Sequence, residues 1–218
     1  MALTEMALTE MAGRHEILDA IHALRYRVYA VEQEFVDIRH CPDGRETDAY
    51  DPASVHFASV DEEGGVGATM RLVLDSPAGF PLDQHAADLA PQYRSLPRER
   101  CTELSRLIVD RRYRAVRAER PLLLSLMGEA YREGSRLGIE HVLAAMEPRL
   151  ARLLGRIGFR FRPIGPPIQH FGEVVPYYAP ISDLTPGYRR ITALGLATGD
   201  LASFRCLKVS PDAVEASV

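Results

Sequence analysis

The segment CTELSRLIVD, residues 101–110, carries a carboxylate at Glu103, a hydroxyl at Ser105 and a guanidinium at Arg106, then runs into Leu107-Ile108-Val109. An apolar run bounded in this way reads as a strand over residues 102–109. Charged side chains are seldom buried without partners. An acid and a base at the start of such a strand therefore form either a structural ion pair or part of a reaction site. The residues downstream of the strand decide the fold. PLLLSLMGEAYREGSRLG (121–138) repeats apolar residues at Leu122, Leu123, Leu126, Met127, Ala130 and Tyr131, with Glu129, Arg132, Glu133 and Arg136 on the other face. Pro121 suits a first helical turn and Gly138 a C-terminal stop. IEHVLAAM (139–146) is then a nearly continuous apolar strand, as expected where both faces are covered. Strand, long helix and buried strand together imply a crossover between parallel neighbours.

Upstream, HEILDAIHALRYRVYAVEQEF (15–35) spaces Ile17, Leu18, Ile21, Leu24 and Val28 as one face of a helix, with a second short helix toward Phe35. CPDGRETDAYDP (41–52) reads as a loop. VHFASVD, a turn at EEGG and VGATMRLVLD read as a hairpin. A proline-rich connection with one short helix around residues 84–89 leads back to the Glu103 strand. Downstream, PRLARLLGRIGF is a short helix ending at glycine, and FRFRPIG and VVPYYAP are late strands. Beyond Ile181 the pattern weakens. The duplicated MALTE at the start reads as an artefact or a disordered segment over residues 1–12. A single domain over 13–208 and a loose tail over 209–218 complete the expectation. The class is α/β (α+β), a mixed sheet flanked by helices.

Bulk properties narrow the function. Of 218 residues, 46% are hydrophobic and 26% charged, the composition of a folded chain with a substantial core. No stretch approaches the roughly 18 to 20 apolar residues that cross a bilayer. Cys41, Cys101 and Cys206 are scattered and odd in number, which suits reduced thiols in the cytoplasm and gives no zinc spacing, so no metal is expected. The hydrolase, zinc-protease and P-loop motifs are absent. Net charge is only −4, yet Arg111, Arg112, Arg114, Arg117 and Arg120 crowd one stretch and Arg149, Arg152 and Arg156 another. Local basic runs of this kind suit an acidic partner or a phosphate.

Four separated segments resemble the acyl-homoserine-lactone synthase family and its relatives, the N-acyl amino acid synthases and exosortase-associated acyltransferases. RYRVYAVEQEF supplies Arg25, Tyr29 and Phe35; ETDAYD supplies Glu46, Asp48 and Asp51; GATMRL supplies Gly67 and Arg71; ELSRLIV supplies Glu103, Ser105 and Arg106. RLARLLGRIGF is similar to the late helix-to-strand element of the GCN5-related N-acetyltransferase fold. The resemblance implies that fold, and an N-acyltransferase moving a fatty acyl group from a phosphopantetheine thioester to an amine. It implies no bound cofactor. Homoserine-lactone synthases carry tryptophan where Phe35 stands, and this chain has none. HFGEVVPYYAP is closer to the amino-acid and exosortase-associated branch, so the expected acceptor is an amino acid or related small amine. A homoserine-lactone synthase using S-adenosylmethionine is the alternative. A non-catalytic carrier-binding or nucleic-acid-binding module is the rival of a different class, although the acidic set argues against nucleic acid.

Acyl transfer to an amine needs proton removal, oxyanion donors and held reactants. Glu103 is the first candidate base and His56 the second, since imidazole titrates near neutrality. Arg25, Asp48, Arg71 and Arg106 form a two-sign set beneath an acceptor pocket, in which Asp48 is a candidate for the ammonium and Arg71 for a carboxylate. Tyr29 and Phe35 are wall, and Ser105 accompanies Arg106. Leu123, Leu126, Met127, Leu143 and Met146 are candidate acyl-chain lining, and on periodicity alone are core. DRRYRAVRAERP has no glycine for a pyrophosphate cradle. That favours docking of an acidic acyl carrier protein over coenzyme A as donor, on Arg111, Arg112, Arg114 and Arg117 with Arg149, Arg152 and Arg156.

Overall fold

The computed structural model describes residues 2–114, 119–197 and 204–210. Its strands are β1 (Ser54–Asp61), β2 (Val66–Leu74), β3 (Cys101–Val109), β4 (His141–Met146), β5 (Arg162–Pro163), β6 (Ile168–Gln169), β7 (Glu173–Pro180) and β8 (Phe204–Val209). They form one mixed sheet in the order β5-β7-β4-β3-β2-β1-β8, with β6 paired to β7. Among the described residues only β3 and β4 run parallel. The helix between them, α3 (Glu119–Arg136), is the expected crossover, with the short α2 (Arg111–Arg114) before it.

The faces of the sheet are divided by alternation. Leu72, Leu104, Val142 and Ala144 pack with Leu122, Leu126, Met127 and Ala130 of α3, under α4 (Pro148–Ile157) and α5 (Thr185–Ala193). Gly158, in the left-handed region at φ 115°, ends α4 as the sequence requires, because only glycine takes that conformation without a Cβ clash. The opposite face is covered by α1 (Ala2–Tyr26), whose Ile21 and Leu24 meet Ala58, Val66 and Ile108. A second apolar cluster there joins Val73, Cys101 and Leu143 to Phe80, Leu82 and Tyr93 of the proline-rich connection.

β3 and β4 pair only from Cys101–His141 to Leu104–Ala144. Beyond that point β3 keeps its partner β2 but leaves β4. The divergence coincides with a bulge: Arg71 faces Ser105 and Thr69 faces Ile108, three steps on β3 against two on β2. Arg106 sits in the bulge at φ 52°, a conformation that costs a non-glycine residue about 1 kcal/mol or more.

Several local expectations are corrected. The short helix of residues 84–89 is a 3₁₀ stretch, Pro81–Asp88, because Pro81 and a kink at His85 prevent a regular α-turn. FRFRPIG yields only the two-residue β5, since Pro163 cannot donate to a ladder. Toward Phe35, α1 passes into a π-helical turn, Arg27–Glu32, rather than a second α-helix. The region beyond Ile181 holds α5 and β8, and Val209, placed in the tail by the sequence, is the last residue of β8, opposite His56. The first helix begins N-terminal to residue 13. Among the described residues no helix is long and apolar enough to cross a membrane.

Candidate functional site

The divergence of β3 from β4 borders a cavity of about 540 Å³. Its walls are Leu107, Ile108 and Val109 of β3, Leu123 of α3, Leu150 and Leu153 of α4, and Val28, Tyr29, Gln33 and Phe35 from the end of α1 and its π-turn. Arg114, Glu147 and Arg149 complete the lining. The two basic runs, distant in sequence, therefore meet at one cavity. Arg111, Arg112, Arg149, Arg152 and Arg156 are exposed. Arg112 pairs with Asp110 at 3.2 Å, Arg114 with Glu32 at 2.8 Å, and Arg149 with Glu147. Arg117 lies outside the described residues.

Behind the aromatic end of the cavity is a buried network of three cations and three anions. Arg25, at the last turn of α1, donates from Nε to Glu46 at 2.5 Å and from Nη1 to Asp51 at 2.6 Å. Arg71 of β2 donates to both Asp48 oxygens, at 2.6 and 3.0 Å, to Asp51 at 2.5 Å and to Ser105 Oγ at 3.0 Å. Arg106 reaches Glu46 at 2.9 Å and Asp48 at 2.8 Å. Its bulge thus turns the side chain onto the network face. Arg25 and Arg71 are 0% and 1% exposed, so both guanidiniums are committed to these partners. The loop that carries Glu46, Asp48 and Asp51 is stapled to the sheet. Burial works to raise the carboxyl pKa values, but the arginines outweigh it and hold all three below the ordinary range. Asp48 is the most open of them.

Glu103 takes no part in these pairs. Fully buried, it stands between Val73 and Leu143 on neighbouring strands and accepts from the Leu82 N–H at 2.9 Å. Burial pushes its carboxyl up to about 8, against the Leu82 hydrogen bond and the field of Arg71. It does not line the cavity. Ser105, two residues on along β3, accepts from Arg71 Nε at 3.0 Å. His56 lies opposite Arg71, with Nε2 3.8 Å from Asp51 Oδ1. Burial lowers its pKa to about 4, helped by Arg25 and Arg71, so the imidazole is neutral and weakly basic. His22, His56 and Asp51 bring potential ligand atoms within 4.8 Å of one another. Arg25 and Arg71 already occupy Asp51 Oδ1, which leaves the group poorly suited to a dication.

Among the apolar candidates, Leu123 lines the cavity and Met127, one turn on, lines a closed void of about 10 Å³ with Leu104 and Phe159. Leu126 and Met146 are core beneath α3. Leu143 belongs to the opposite face, with Phe80 and Leu82. Sequence reasoning missed Leu150, Leu153 and Gln33 as lining; the first two were readable only as a helix face. It also missed Phe171, whose ring stands 4.3 Å from the Arg106 guanidinium carbon and 5.2 Å from the Tyr29 ring.

Comparison with known proteins gives one family profile, N-acyl amino acid synthase FeeM, matching residues 20–176. A search of curated protein sequences finds no match. Among solved structures, the CoA-dependent acyl-homoserine lactone synthase BjaI with SAM and isopentyl-CoA is 24% identical, with 82% of this chain and 83% of that one covered at a TM-score of 0.65. FeeM, an N-acyl amino acid synthase from uncultured soil microbes, is 16% identical over 76% of this chain and 86% of its own, at 0.56. A protein assigned as an N-acetyltransferase, from Lactobacillus plantarum, is 18% identical over 78% and 92%, at 0.50. These likenesses agree with the acetyltransferase-like fold.

Proposed function

Since the chain belongs to the FeeM N-acyl amino acid synthase family, whose profile spans residues 20–176, and is thereby an acyltransferase, we propose that it acylates the amine of an amino acid from a phosphopantetheine thioester. The observation that carries the reading is the cavity at the β3–β4 divergence, which has an aromatic end, an apolar end and a basic rim. The thioester would lie along the unpaired edge of β3, with the acyl chain directed toward Leu123, Leu150 and Leu153. The acceptor would sit at the Tyr29–Phe35 end, with Asp48, the most open carboxylate of the network behind it, the candidate for its ammonium. Once that ammonium loses a proton, the amine nitrogen attacks the thioester carbonyl, a C–N bond forms and the C–S bond breaks. The thiol leaves with a proton. Glu103, with its raised pKa, is the proposed proton acceptor through intervening water, and His56 the weaker candidate. Arg71 is assigned to holding Asp48 in place rather than an acceptor carboxylate, because four of its five N–H groups are engaged by Asp48, Asp51 and Ser105.

The test is transfer by the purified protein from acyl carrier protein and from coenzyme A thioesters to a panel of amino acids, read by mass spectrometry. An N-acyl amino acid is the expected product. A homoserine lactone formed from S-adenosylmethionine would move the reading to the alternative synthase. No product with either donor would favour a binding-only protein.

The basic rim separates the donors. Reversing Arg149, Arg152 and Arg156 to glutamate is expected to raise KM for the acyl carrier protein thioester at least about tenfold, and clearly less for the coenzyme A thioester, whose few phosphates span a smaller part of the rim than a protein surface does. These side chains are exposed, so stability should barely change. Equal effects on both thioesters would remove carrier docking from this face.

A further inference from the structure

β6 and β7 form a hairpin through the pairs Ile168–Val174 and Gln169–Glu173, and its tip is His170-Phe171-Gly172. Phe171 is held at φ 53°, a left-handed conformation that an aromatic residue seldom takes. Gly172, at φ 94°, leaves room for the Phe35 ring, which a side chain there would meet at 3.2 Å. The tip belongs to the β4–β7 half of the sheet, yet its side chain reaches residues of the other half. The Phe171 ring is 5.2 Å from Tyr29 and 6.4 Å from Phe35, and Arg106 lies against its face at 4.3 Å. Tyr29 and Phe35 are themselves 6.4 Å apart, and of the three rings these two face the cavity. Phe171 stands behind them.

The three rings leave no slot between them for a further flat ring. A purine stacked between two aromatic faces needs roughly parallel planes about 7 Å apart, twice the ~3.5 Å contact distance of carbon atoms. Here the planes are inclined by 35°, 42° and 65° at centroid distances of 5.2 to 6.4 Å. Phe171 limits how far the Tyr29 ring, 5.2 Å away, can withdraw, and it flanks the inner side of the more exposed Phe35. Strained backbone at a non-glycine residue persists only where its surroundings enforce it, and the contacts with Arg106, Tyr29 and Phe35 are those surroundings.

We propose that Phe171 is a positioning residue that selects the acceptor by size: by backing Tyr29 and Phe35 it restricts that end of the cavity to compact amino acids and shuts out nucleoside-bearing amines. This rests on the amino-acid reading of the site. The test uses full-length wild type, Phe171→Leu and Phe171→Ala, and competes small against bulky amines, S-adenosylmethionine included, for one acyl thioester. Phe171→Ala is expected to raise the bulky-to-small ratio of kcat/KM at least tenfold, with Phe171→Leu between it and wild type. KM for the thioester should stay within twofold. A ratio is independent of the folded fraction, so poor folding cannot imitate the result. Unchanged ratios in both variants, or an equal change in thioester KM, would overturn the proposal. If wild type acylates no amine, the amino-acid reading falls, and calorimetric binding of the same amines decides the selection role. Admission of a larger amine by Phe171→Ala then supports it, and unaltered or absent binding overturns it.

Discussion

Glu103→Gln is expected to lower turnover about a hundredfold or more while leaving the protein folded. The amide keeps an oxygen for the Leu82 N–H and nearly the same volume between Val73 and Leu143, but it takes up no proton. Stability should respond to pH in a way that identifies the group. The carboxyl stands at about 8 in the fold against an ordinary 4.5, so the folded state favours its protonated form. That contribution is fully present below the ordinary value and is lost as pH rises through 8, at up to about 1.4 kcal/mol per pH unit between the two. The glutamine variant does not titrate there. Urea unfolding from pH 5 to 9 should therefore show it gaining on wild type up to about pH 8 and holding level beyond, while wild-type activity rises toward pH 8 as the base is freed. Joint loss of activity and folded yield would assign Glu103 to the scaffold.

Arg71→Met should be the most destabilising single change in the charged network, at about 3–5 kcal/mol, because it removes four hydrogen bonds of a buried guanidinium at once and leaves Arg106 as the one arginine donating to Asp48 and Arg25 as the one donating to Asp51. Against a total stability of about 5–15 kcal/mol this is a large fraction. Arg27→Met is the control: Arg27 is half exposed and pairs with Asp110 at 3.2 Å, an arrangement worth about 1 kcal/mol or less. Asp48 and Asp51 are held below the ordinary carboxylate range, so the network's contribution is complete above that range and fades as pH falls through the lowered values. The gap between Arg71→Met and wild type should accordingly narrow in acid. Urea midpoints at pH 7 and pH 3.5 measure both effects, and a loss at pH 7 no greater than that of Arg27→Met would falsify the role given to the network.

The charged network was legible in the sequence because its members sit in short motifs of fixed spacing. Arg25, Asp48, Arg71 and Arg106 were expected together and are together. The crossover from β3 through α3 to β4 was equally legible, since periodicity changes cleanly from strand to helix and back. The cavity was not, because it opens where β3 leaves β4 beside the bulge at Arg106, and a left-handed arginine leaves no mark in composition. Phe171 was overlooked for another reason. Its partners Tyr29 and Arg106 are far away in sequence, and nothing local distinguishes a hairpin tip that crosses a cleft from one that meets solvent. β8 was lost because its four apolar residues, Phe204, Cys206, Leu207 and Val209, do not alternate cleanly and are interrupted by Arg205 and Lys208.

That last strand bears on how the chain comes to fold at all. β8 joins the sheet beside β1, so that His56 pairs with Val209 across most of the polypeptide. Pairings of such long range are paid for in loop entropy before they return anything, and they slow folding. During synthesis the β1–β2 hairpin emerges well before β8 and must wait, with one side of β1 unsatisfied, until residues 204–209 have left the ribosome. Exposed strand edges of this kind recruit other chains. Trimming at the C-terminus would thus be felt first as aggregation of nascent protein, well away from the chemistry of the cleft.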